Sequence, residues 1–196
     1  MTLAELIAEV YTITNRPDLV AQTLTAVRSA TLKLHQSDYY YKDLRESGVS
    51  FTTALYVQQL EYRTLFPKWR ALKYIRKTDS AGTDTGKFLD IILPENVLDN
   101  YQINRNDVCY VAGEVIQIRS STQVQYTIVG RYDNPDITQA TYNSWIALDH
   151  PYAIVYEAAS TVFKMIGDTD QFAAYSQLAG MQLVELRNTN ILAQGF

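Results

Sequence analysis

Metal or acid–base chemistry in this 196-residue chain would have to start from two histidines, one cysteine and a few neighbouring carboxylates. His35 is followed by Gln36 and Asp38, and His150 by Pro151, so neither has a partner at the spacing that brings ligands together on zinc or iron. The lone Cys109 excludes an internal disulfide and reads as a small buried apolar side chain. Asp149–His150 could orient a base, yet no serine or cysteine stands in the Gly-x-Ser-x-Gly setting of an exposed nucleophile, so the pair reads as a helix start. No Gly-x-Gly-x-x-Gly or Gly-x-x-x-x-Gly-Lys-Ser/Thr run is present, which removes the usual phosphate-cradling loops. Asp43 with Glu46, and Asp168 with Asp170, lie in polar stretches where carboxylates serve as caps. The sequence therefore predicts no catalytic residue, no metal and no cofactor, that is, a protein that is not an enzyme.

The elements that would position any site begin with helices. Thr2-Leu3-Ala4-Glu5 is a capping box, and Leu3, Leu6, Ile7 and Val10 follow at helical spacing. Asn15-Arg16-Pro17-Asp18 is a second start signal, after which Leu19, Val20, Leu24, Val27, Thr31 and Leu34 form a buried stripe. Residues 1–48 read as a helical hairpin. From Val49 the residues become β-branched and aromatic, then Pro67–Arg70 opens a short helix or turn carrying Leu72 and Ile75 inward. A polar loop spans Thr78 to Gly86, the best candidate for a mobile tip. Short β-rich runs continue to Tyr132. Their alternation puts Val115 or Ile116, Ile118, Val124, Tyr126 and Ile128 on one side of a meander, with a turn at Ser120–Thr122.

Residues 49–137 thus read as an inserted β-rich lobe, and residues 138–187 as helices that complete the frame. Gly167 suits a left-handed C-terminal cap. Residues 188–196 lose helical rhythm but keep Ile191, Leu192 and Phe196, which suggests a docking tail. The expected fold class is α+β: N- and C-terminal helices forming one bundle with an inserted small antiparallel β lobe and an extended C-terminal tail.

Apolar residues make up 47% and charged residues 19%, which is globular usage for a chain long enough to bury one core. Met1 leads into Thr2-Leu3-Ala4-Glu5 without the basic and apolar runs of a signal peptide, and no stretch of 18 apolar residues occurs. The expectation is a protein made in the cytosol that avoids membranes. With a net charge of −4 the whole molecule does not attract nucleic acid, but Arg63, Lys68, Arg70, Lys73, Arg76 and Lys77 form a stretch without an acid. A solvated face, or pairing with acidic helices, explains that stretch as readily as phosphate contact. Fifteen tyrosines suit a protein with much contact surface, since tyrosine offers apolar area with a polar tip; β propensity accounts for some of them.

The order of several segments resembles the head-to-tail adaptor (connector) proteins of tailed bacteriophages, especially short-tailed ones. The segments are Leu3-x-x-Leu6-Ile7-x-x-Val10, Thr14-Asn15-Arg16-Pro17-Asp18-Leu19, Ala26-Val27-Arg28-x-Ala30-Thr31, and His35-x-x-Asp38-Tyr39-x-Tyr41-x-Asp43. Trp69–Arg76 and Ala158-Ala159-x-x-Val162-Phe163-Lys164-x-Ile166-Gly167-Asp168 complete them. The resemblance implies a non-enzymatic virion protein made in the host bacterial cytoplasm. It would form a ring of about a dozen copies between portal protein and tail or nozzle proteins. It also implies that Ile191, Leu192 and Phe196 dock on the portal, and that Arg70, Lys73 and Lys77 face DNA passing through the channel without sequence readout. Another neck or tail-completion component is the alternative, and a cell-wall hydrolase a more distant one.

Overall fold

The computed structural model describes residues 1–78, 86–98 and 103–193. The chain divides into two compact units, Met1–Asp43 with the chain from Asn134 onward, and Leu44–Asp133.

In the first unit, helix α1 (Leu3–Thr14) starts at the capping box: the Thr2 hydroxyl accepts from the Glu5 N–H and Glu5 Oε2 accepts from the Thr2 N–H. Asn15, at φ 50°, ends it in the left-handed region. Helix α2 (Val20–Gln36) begins beyond Pro17, and a single helical turn at Tyr41–Asp43 closes this part of the chain. After the β unit come α4 (Trp145–Asp149), α5 (Pro151–Ile166) and α6 (Thr169–Ala193). Pro151 occupies the first turn of α5 and Gly167, at φ 81°, its C-terminal cap. One apolar core joins them through Leu6 and Val10 of α1, Val27 and Leu34 of α2, Ile154 and Val162 of α5, and Leu186 of α6.

The second unit is built on two long strands, β1 (Leu44–Glu61) and β5 (Val115–Asp133). They pair antiparallel from Leu44 opposite Tyr132 to Glu61 opposite Val115. Between them in sequence lie a short helix, α3 (Tyr62–Leu65), and strands β2 (Trp69–Thr78), β3 (Phe88–Ile91) and β4 (Val108–Ala112). The sheet order is β1-β5-β2-β3-β4, and β4 pairs back onto β5, so four of the five strands close into a barrel with β1 laid along β5. Closure removes the free edges of those four strands. Leu60, Ile75, Leu89, Cys109, Ile116, Ile118 and Val129 fill the interior.

This architecture overturns the expected fold class. The protein is mixed α/β, with N-terminal helices and a central closed sheet rather than a helical bundle bearing a small lobe. The sheet is not purely antiparallel, because β3 and β4 run parallel, Asp90 opposite Val108. Neither is the C-terminal segment an extended tail: α6 continues through Asn188, Ile191 and Leu192 to Ala193. Three local misreadings account for the difference. Ser120-Ser121-Thr122 does not turn, since their polar groups bond Asp107 and Lys77 and let β5 run on as one strand. Trp69–Arg76 is a strand rather than a helix or turn. Finally, β1 advances from Ser50 to Leu55 while β5 moves only from Tyr126 to Val124, and Gln58 clamps that irregularity through the carbonyls of Thr53 and Val124. On β5 the inward set next to this irregularity is Thr127 and Val129 rather than Tyr126 and Ile128. The polar-loop residues 79–85 lie outside the described residues.

Candidate functional site

Helix α6 has two different sides. Ala179, Leu186 and Asn190 are buried at helical spacing, and Asn190 fixes the far end by accepting the Tyr41 N–H at 3.1 Å. The opposite side carries Ala173, Ala174, Leu178, Met181 (62% exposed), Val184, Ile191 and Leu192 (75% exposed), interrupted by Asp170, Gln177, Glu185 and Asn188, with Arg187 and Thr189 exposed at its margins. A surface helix ordinarily turns polar residues outward. Here both faces are apolar. The tail candidates Ile191 and Leu192 therefore stand on the last turn of a helix, while Phe196 lies outside the described residues.

The three candidate channel residues do not form one row. The β2–β5 register passes from Leu72 opposite Arg131 to Tyr74 opposite Gly130, leaving Lys73 as the extra, exposed residue of a bulge. Lys77 shares its side of the strand with Ile75 and donates to Asp107 at 2.8 Å, Ser120 at 2.9 Å and Thr122 at 3.2 Å. Arg70 lies at the other end of β2, before the bulge. Asp107, at φ 58°, also accepts from Lys87 and from the Ser121 N–H and hydroxyl. Burial pushes its carboxyl up, but the hydrogen bonds from Lys77, Ser121 and Lys87 outweigh burial and hold it well below the usual carboxylate range. Lys77 is thus part of the internal stitching of the barrel.

The helical unit also holds a polar cluster that the sequence pattern did not announce. His35, at the end of α2, directs Nδ1 at both oxygens of Asp43, 2.9 and 3.0 Å away, and Nε2 at the Ser144 hydroxyl, 2.9 Å away. All three are buried, Ser144 with 4% exposure. The carboxylate at Nδ1 selects the tautomer with its proton there, so Nε2 accepts from Ser144. The Trp145 indole N–H donates to Asp43 Oδ1 at 2.7 Å. That ring is itself held edge-on by Tyr40 and covered by Lys42. Ser144 Oγ caps α4 by accepting the Ala147 N–H at 3.3 Å. Beside it, the half-buried Tyr142 hydroxyl lies 2.7 Å from Thr31 Oγ1, and burial raises its pKa.

Ser144 and Tyr142 line a cavity of about 350 Å³ together with Leu3, Gln139, Asn143 and Leu148. The sequence reading missed this constellation because His35, Asp43 and Ser144 belong to separate elements, and no local motif spells out a meeting made by tertiary packing. The second histidine, His150, sits at the N-cap of α5 and makes no such cluster. Cys109 is fully buried in the barrel, and burial with nearby Asp90 pushes its thiol up to about 12. Among the described residues no group of His, Cys, Asp and Glu could hold a metal ion, and no helix is long and apolar enough to cross a membrane. Compared with known proteins, the chain matches no family model and no curated sequence.

Proposed function

We propose that the chain is a structural virion protein, a head-to-tail adaptor that assembles as a ring of copies between portal and tail and surrounds the passing DNA. The observation that carries this reading is α6, a 25-residue helix whose outward side presents Leu178, Met181, Val184, Ile191 and Leu192 to solvent. Leaving such a face wet is unfavourable by roughly 25 cal/mol per Å² of apolar surface, so it favours an assembled state. Exposed Tyr39, Tyr41 and Tyr152 in the same unit add amphipathic contact area of the kind interfaces collect. Ile191 and Leu192 supply the portal contact. Arg70 and Lys73 supply the mild positive charge toward DNA, and Lys77 balances Asp107 instead. A neck or tail-completion component remains the second reading, favoured by the same apolar face if its partner is a tail protein.

The test is a mass measurement of the purified protein alone and mixed with portal. The adaptor reading expects closed rings on portal and their loss in Ile191→Asp/Leu192→Asp. A folded protein that stays monomeric and ignores portal overturns it, and binding to tail protein alone selects the second reading.

A further inference from the structure

We propose that Ser144, His35 and Asp43 work as nucleophile, base and orienting carboxylate at the cavity of the helical unit, able to cleave a small carboxylic ester through an acyl-serine intermediate. This inference stands independently of the assembly role. A serine that only capped α4 would need to accept the Ala147 N–H and could send its own proton anywhere. With its Nδ1 proton directed at Asp43, a neutral His35 ring accepts the Ser144 proton at Nε2, and Ser144 is also one of the residues that line the cavity. Asp43 in turn is held by the Trp145 indole, so the imidazole cannot swing away from the serine without breaking bonds at both nitrogens. These are the mutual positions that nucleophilic acyl transfer requires.

The cavity also offers donors for the charge that develops on a carbonyl oxygen. The Tyr142 hydroxyl can turn from Thr31 toward the cavity, and burial keeps it protonated; the exposed Asn143 amide is beside it. Leu3, Ala140 and Leu148 make the lining partly apolar, and the Met1 ammonium, which donates to the Ala147 carbonyl, is its one formal charge. In the first step Oγ bonds to the ester carbon as its proton passes to His35 Nε2. The bond to the alcohol oxygen then breaks, and the leaving alcohol takes that proton. Water reverses the sequence, giving its proton to Nε2 and its oxygen to the acyl carbon. Ser144 recovers a proton, and the net products are one carboxylic acid and one alcohol. Ser144 and His35 are the catalytic residues, and Asp43 is a positioning residue.

The experiment treats the full-length protein with an alkyl fluorophosphonate and maps the adduct by peptide mass spectrometry. Expected is one adduct at Ser144, absent in Ser144→Ala, with a labelling rate that falls by about 100-fold or more in His35→Gln. Should His35→Gln fail to fold, the wild-type adduct map still decides. Absence of an adduct at Ser144 in protein shown to be folded by circular dichroism overturns the proposal. A labelling rate unchanged in folded His35→Gln overturns it too.

Discussion

The Nε2 atom of His35 lies 2.9 Å from the Ser144 hydroxyl across 109 residues of chain, and the whole β unit is inserted between them. The helical unit therefore closes its polar cluster only when both ends of the chain have come together, which makes the cluster a reporter of that folding step.

Replacing Asp43 by Ala should destabilise the protein by about 3 kcal/mol, because two buried donors, His35 Nδ1 and Trp145 Nε1, lose a charged acceptor at once. Urea unfolding at neutral pH measures this. An exposed change on α6, Gln177→Ala, should leave the midpoint nearly unmoved.

Asp107 should give the barrel a pH-dependent contribution. Its folded carboxyl titrates below the ordinary value of about 4, so the contribution is complete above that range and fades as pH falls through it and further toward the folded value. The stability gap between wild type and Asp107→Asn should be widest at neutral pH and shrink in acid. A gap that widened in acid would assign the opposite sign to these hydrogen bonds.

Cys109 should resist thiol reagents while the barrel is closed, since its side chain is buried and its thiolate is disfavoured up to about pH 12. Labelling by a disulfide reagent at pH 8 should proceed at the rate of barrel opening and become immediate in denaturant. Rapid native labelling would mean that β4 opens without global unfolding.

The two sides of α6 should respond differently to mutation. Leu186→Ala removes a buried side chain and should cost roughly 2 to 5 kcal/mol in stability. Met181→Glu combined with Val184→Glu, on the outward side, should leave the unfolding midpoint within a few degrees while abolishing association seen by sedimentation.

Sequence alone determined the features that depend on neighbours along the chain. Thr2 and Glu5 specify a capping box, Pro151 and Gly167 bound α5, and the stripe Val27, Thr31 and Leu34 faces the core, because each rests on one or two helical turns. Tertiary structure decided what depends on distant partners. Ser120-Ser121-Thr122 looks like a turn until Asp107 and Lys77 take up its polar groups, and Thr127 rather than Tyr126 takes the buried side of β5 beside the irregular β1–β5 pairing. Residues 188–193 lose apolar periodicity yet stay helical, with Asn190 bonded to the Tyr41 backbone. The same holds for His35, Asp43 and Ser144: period and propensity act over a few residues, whereas hydrogen-bond partners are chosen by whichever side chains the closed chain brings within about 3 Å.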